Sequence, residues 1–268
     1  MSLSVGTDGR PDPLSGRTLG RVGVVIGTVT LWYGLSVVVG STVLPGPTRT
    51  LGVATDGLLA EGWMVANLID TLSALVGAFA VAAGLGGAVG ILLGLRDPLR
   101  AVFEPFVLNT YAIPKIILFP IFLFVFRFGI DQKIAFGAFH GVFPMAIILT
   151  GAVRNVSDIH LDVARSLRLS RFQTVRFIVL PSVLGPLVVG LRFAFNLSFL
   201  GIILSELFAA RSGLGLILQR ALGSVDRPRI MGVTLVIVVV ALAVNLTFYA
   251  VQRVLERRWN VTVDDGGL

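Results

Sequence analysis

Four stretches of this chain run for the thickness of a bilayer without a charged residue. Between Arg21 and Arg49 lie 27 such residues, between Asp70 and Arg96 25, between Lys133 and Arg154 20, and between Arg229 and Arg253 23. A helix needs about 20 mostly apolar residues to cross the hydrocarbon core. Two further stretches, Phe106 to Phe126 and Phe177 to Leu204, are as apolar but hold one cation each, Lys115 and Arg192. A central cation costs roughly 2.5–3.5 kcal/mol on insertion scales, which strongly apolar flanks offset. The expectation is an all-α, polytopic membrane helical bundle with about six transmembrane helices. They fall near 22–44, 71–95, 104–126, 134–153, 182–207 and 230–252.

Composition agrees. The 268 residues are 55% hydrophobic and only 14% charged, where a soluble domain carries about 25% charged residues. The formal charge of +7 comes from Arg flanking apolar runs, a membrane pattern, and no nucleic-acid partner is expected. Cysteine is absent and His140 and His160 are the two histidines, so thiolate and His-rich metal sites are excluded. The chain reads as a polar, disordered cytoplasmic tail (1–20), one membrane domain (21–260) and a short solvated tail (261–268). Six spans put the termini and the loops near 96–103 and 154–176 on one side. That side holds 13 Lys and Arg against 7 on the other. The bias puts both termini in the cytoplasm of a multi-pass cell-membrane protein.

One loop, 154–180, is long, charged and still helically patterned. Ile159, Val163 and Leu167 recur every four residues, and Phe172, Val175 and Val179 continue at spacings of three and four before Pro181. Such a pattern gives two short amphipathic helices joined by a turn. They serve either as a connector lying on their own bundle or as a docking site for another protein.

The residues of this loop resemble a family. DVARSLRLSRFQTVRFIVLP is similar to the cytoplasmic EAA loop of binding-protein-dependent ABC transporter permeases: Glu-Ala-Ala, three residues, Gly, nine residues, Ile, any residue, Leu-Pro. Aligned on Ile178, Leu180 and Pro181, the first three positions are Asp162, Val163 and Ala164, and Arg168 stands where the family has Gly. IPKIILFPIFLFVFRFG (Ile113–Gly129) and SELFAARSGLGLIL (Ser205–Leu218) resemble the nitrate, sulfonate and taurine branch, with its Glu followed by a Gly-Leu-Gly turn. Three motifs in order are far more specific than one.

The resemblance implies a coupling helix seated in a groove of a separate P-loop ATPase. There Ala164 and Ser166 allow close approach, Val163 and Leu167 fill the groove, and Asp162, beside Arg165, makes a charged rim that selects the partner. It also implies a second permease copy in a dimer, an extracytoplasmic solute-binding protein facing the arginine-rich stretch 211–229, and a small anion as solute. Family Gly at the turn takes φ > 0 without strain, whereas Arg168 there costs about 1 kcal/mol. Either the turn is shaped differently or Arg168 makes a compensating contact. Arginines 211–229 serve equally well as an anchor for anionic lipid headgroups.

Ionisable groups within spans are functional candidates. Lys115 follows Pro114, and Arg192 follows Pro186 and Gly190, so each lies near an expected kink where an anion path is plausible. Alternatively Lys115 snorkels, and Arg192 pairs with Glu206 to hold the bundle together. Glu206 precedes the outer turn at Gly213 and Gly215 and reads as structural or gating; His140 is a weaker candidate. Asn196 and Ser198 suit interhelical hydrogen bonds.

No cofactor is expected on this chain. It contains no G-x-x-x-x-G-K-[ST], so ATP would be bound by the partner. H-E-x-x-H and G-x-S-x-G are absent as well, so nothing supports an enzyme. A stand-alone secondary transporter, the competing class, normally has two similar halves, and none is visible.

Overall fold

A computed structural model of the chain describes residues 16–209 and 211–259. Residues 1–15 of the tail expected at 1–20, and the whole tail expected at 261–268, lie outside the described residues. Among the described residues the protein is all helix. Helix α1 (Gly16–Val39) starts inside the segment expected as a tail. It ends before Gly40, at φ 94°, and Pro47 then opens α2 (Pro47–Thr55). The apolar stretch 22–44 is therefore helical only as far as Val39, within a helix of 24 residues, and then turns. Nearly all of α1 is exposed; it touches the rest through Trp32, whose indole N–H donates to the Pro45 carbonyl at 3.1 Å.

The bundle proper begins at α3 (Val65–Leu95). Then come α4 (Asp97–Ala112) and α5 (Phe119–Phe126), joined by a 3-10 turn at Lys115–Leu118. The expected span at 104–126 is not continuous, because α4 and the segment Lys115–Phe126 are bent by 92°. Pro114 causes the break. It has no N–H to donate and forces the preceding residue out of the helical region, and Ile113 accordingly sits at φ −65°, ψ 132°. Helix α6 (Ile130–Arg154) follows, and α7 (Asp158–Ser166), α8 (Arg171–Thr174), a π turn at Val175–Val179 and α9 (Leu180–Ser182) make up the loop. Helices α10 (Leu184–Ala209), α11 (Leu214–Gly223) and α12 (Arg227–Trp259) complete the described chain. Five helices are long and apolar enough to cross a membrane, six if the bent pair counts as one span.

The core is the layer α3–α6–α10. Lipid is as apolar as leucine, so burial does not drive helices together in a bilayer, and close backbone packing at small residues does. Gly86, Gly90 and Gly94 form such a stripe on α3. A Cβ at Gly86 would lie 2.6 Å from the Val142 carbonyl, one at Gly90 2.8 Å from that of Ala146, and one at Gly94 2.5 Å from the Val153 Cβ. Gly137 and Gly141 do the same for α6 against α10. Phe119 and Phe122 of α5 pack edge-on against Phe136 of α6 at 5.1 and 5.3 Å. Asn196 and Asn245 exchange amide hydrogen bonds of 3.1 and 2.7 Å between α10 and α12, whereas the Ser198 hydroxyl is buried without a partner.

This packing predicts that Gly90→Val destabilises the purified protein by about 2–3 kcal/mol, as overpacking does. Gly84→Val, where a Cβ meets nothing within 4 Å, changes it little. Thermal unfolding in detergent compares the two.

Candidate functional site

Glu206, near the end of α10, is fully buried and pairs with Lys133, near the start of α6, with Nζ 2.9 Å from Oε1; their side chains are 0% and 6% exposed. The Lys133 ammonium also donates to the Ser212 carbonyl at 2.8 Å. Two buried charges are tolerated in an apolar bundle when their remaining lone pairs and protons find partners, and here both carboxylate oxygens and two of the three ammonium protons do. The Thr71 hydroxyl of α3 lies 2.9 and 3.0 Å from the two carboxylate oxygens.

The same groups finish α11. The first N–H groups of a helix have no partner within it, and α11 has no side-chain cap of its own. The N–H groups of Gly213, Leu214 and Gly215 donate instead to Asn67 Oδ1 (2.8 Å), Thr71 Oγ1 (2.9 Å) and Glu206 Oε2 (2.9 Å). A carboxylate here also faces the positive end of the helix dipole. Glycine is required at both ends of the Gly-Leu-Gly turn. Gly213 has φ +111° and a Cβ on it would overlap the Glu206 carboxylate, while a Cβ on Gly215 would come 2.8 Å from the Ile203 carbonyl. Five segments meet at one clasp.

The expected Arg192–Glu206 pair does not form. The two residues are 14 positions apart on one helix, about 21 Å at 1.5 Å per residue. Lys133, taken from the sequence only as a span boundary, is the partner. The available signal was that Lys133 opens a span and Glu206 closes one running the other way, so both lie at the same face of the membrane. Arg192 is half-buried and has no ion-pair partner among the described residues. Lys115 is separate from both. It sits at the break between α4 and α5, its Nζ donating to the Tyr111 carbonyl at 2.9 Å and lying 4.6 and 5.6 Å from the Tyr111 and Phe143 ring centres. Phe143 lies midway along α6, so this ammonium is at mid-bundle depth. His140 is buried, a ring nitrogen 2.9 Å from the Phe136 carbonyl.

The loop lies at the far end of α6 from the clasp, about 30 Å away by helix length. Ile159 is 72%, Val163 45% and Leu167 65% exposed, while Ala164 is buried. Asp162 pairs with Arg165 at 3.1 Å. Ser166 ends α7. Arg168 takes φ +50°, so the turn keeps the left-handed shape that glycine favours. The Leu169 N–H reaches the Ala164 carbonyl and the Arg168 N–H the Arg165 carbonyl, each at 3.0 Å. That is the two-bond pattern closing a helix at a left-handed residue. Ile178 and Leu180 are half-buried, as is Pro181. The loop returns over α3: Leu92, Leu95 and Arg96 line a cavity of about 390 Å³ with Leu169, Thr174 and Val175.

Three of the four arginines in 211–229 already engage this chain. Arg211 lies 5.7 Å from the Phe128 ring centre, Arg227 donates to the Thr42 carbonyl at 3.0 Å, and Arg229 sits 4.8 Å from the Trp63 ring and 3.7 Å from Asp226. Among the described residues no three His, Asp or Glu side chains come together as metal ligands.

Residues 64–261 match the family described as "Binding-protein-dependent transport system inner membrane component", leaving α1 and α2 outside the match. The chain is 26% identical over 247 residues to the taurine transport system permease protein TauC of Escherichia coli, spanning 90% of each. It is 31% identical over 193 residues to the bicarbonate transport system permease protein CmpB of Synechococcus elongatus, spanning 68% of this chain and 69% of the relative. Its fold is similar to that of a solved inward-facing structure of the MetNI methionine ABC transporter, with TM-score 0.66 at 18% identity, over 74% of this chain and 98% of that one.

Removing one member of the buried pair leaves the other charge unmatched. Glu206→Ala and Lys133→Ala are each expected to cost about 3–5 kcal/mol, and the double variant clearly less than their sum. Unfolding in detergent measures all three.

Proposed function

The chain belongs to the binding-protein-dependent transport system inner membrane component family, and from that premise we propose that it is the membrane-spanning permease subunit of an ABC importer. In this reading the solute is small and carries an oxyanion group, in keeping with relatives named for taurine and bicarbonate. Two copies form the pathway, an extracytoplasmic solute-binding protein delivers the solute, and a cytoplasmic ATPase subunit docks on α7. Both termini and the 154–180 loop face the cytoplasm, and the Glu206 clasp lies at the outer end.

The observation that carries this reading is the exposed apolar stripe Ile159, Val163 and Leu167, held by a nine-residue helix at the opposite end of the bundle from the clasp. An amphipathic helix offering such a stripe is a standard protein-docking element. Asp162 and Arg165 flank it as polar rim, and Ala164, turned inward, lets α7 lie close to its own support. The helix is carried into α10 by the Val175–Val179 π turn and Pro181, so a push on α7 is delivered to a core helix. ATP binding and hydrolysis belong to the docked subunit.

Lys115 is proposed to line the path. It brings a positive charge to mid-bundle depth at the one span whose backbone is broken, and irregular backbone at that depth is tolerated where it lines a cavity. Arg192, half-buried without an ion-pair partner among the described residues, is proposed as a second cation of the path.

Changing Val163 and Leu167, both exposed on the stripe, together to Arg is expected to abolish retention of a P-loop ATPase and ATP-driven uptake in proteoliposomes. Lys115→Gln keeps the ATPase and raises the KM for the anion about tenfold, the loss of roughly 1.4 kcal/mol of binding. ATP-driven uptake by the Arg double variant contradicts the docking reading, and an unchanged KM removes Lys115 from the path.

A further inference from the structure

We propose that Arg168 is a specificity-determining contact of the docking face, meeting acidic side chains on the rim of the ATPase groove that receives α7. The inference rests on the reading that α7 is the ATPase contact and adds the charge and the residue that select the partner. Arg168 occupies a left-handed position, φ +50°, which a glycine would adopt without strain. The side chain is exposed, and among the described residues it has no carboxylate partner. Two backbone hydrogen bonds close the turn, and no ion pair within the described residues adds to them. The nearby carboxylate of Asp162 is already taken by Arg165.

Charge and position point the same way. Between residues 154 and 176 the sequence holds five arginines against two aspartates, and Arg168 directly follows Leu167, the last residue of the exposed apolar stripe. The segment behind it lies across the end of α3, sharing a cavity with Leu92, Leu95 and Arg96, so the stripe and its basic tip face outward from the end of the bundle. An apolar contact bordered by an unpaired cation is the arrangement in which rim charge sets partner choice and encounter rate. A cation just past a helix C-terminus also suits the helix dipole; that role acts on stability and leaves affinity for a partner unchanged, which separates the two experimentally.

The test uses the full chain in nanodiscs and the ATPase subunit that co-purifies with it, produced separately. Binding is measured at about 50 mM and about 300 mM salt, where screening differs strongly. Arg168→Gly is expected to weaken binding about fivefold at the lower salt and to flatten the salt dependence. Its melting temperature is unchanged or raised, and Arg168→Lys restores most of the affinity. Wild-type affinity of Arg168→Gly at both salts overturns the proposal. So does a loss that follows the anionic lipid content of the nanodisc, since the contact is then with headgroups. Retention of the ATPase by the Val163/Leu167 double Arg variant, or by no form of the chain including wild type, refutes the docking reading itself. Loss by that double variant with an unchanged Arg168→Gly refutes only the inference.

Discussion

A carboxylate buried inside a membrane bundle must be matched or it will not be tolerated. Glu206 is matched by Lys133, by Thr71 and by the N–H of Gly215, and these partners come from separate parts of the chain. Satisfying one charge therefore fixes the relative positions of α3, α6, α10 and α11 at one end of the bundle. Lys133 extends the arrangement to the 211–213 turn through the Ser212 carbonyl. Neither glycine of the turn can gain a side chain without meeting Glu206 or the backbone of its helix. The short helix that follows is held by side chains of other helices at the N–H groups of Gly213, Leu214 and Gly215.

From that fixed end the core helices run in close contact to the loop. Gly86, Gly90 and Gly94 let α3 lie against α6 nearly backbone to backbone, and packed cores transmit displacement because they hardly compress. The two ends differ in kind. The clasp end is buried and cross-bonded between helices, whereas the loop end carries exposed apolar side chains and, at φ +50°, an exposed Arg168 with no carboxylate partner among the described residues. That difference between the ends is what the proposed docking on α7 draws on.

Much of this was legible before any coordinates. Apolar runs of bilayer length give the spans, the fourfold spacing of Ile159, Val163 and Leu167 gives α7, and Gly213 and Gly215 mark the turn before α11. Other features depend on pairings between distant segments that no local pattern reports. Lys133 looks like a flanking residue until α6 and α10 are set side by side. The pairing of Arg192 with Glu206 fails on helix rise alone. Pro114 announces a break, but a bend of 92° reflects the packing of α5 across α6. Helix α2 has no clear signal in the sequence because its nine residues are only weakly apolar and straddle Arg49, where the first uncharged stretch ends.

Hydrogen exchange tests the central claim most directly. The account predicts that the Gly213, Leu214 and Gly215 amides exchange far more slowly than those of residues 167–170. It also predicts that Thr71→Val speeds Leu214 by at least about tenfold, the loss of roughly 1.4 kcal/mol of protection. Fast exchange of these three amides in the wild-type protein, or a Leu214 rate unaltered by Thr71→Val, would contradict it.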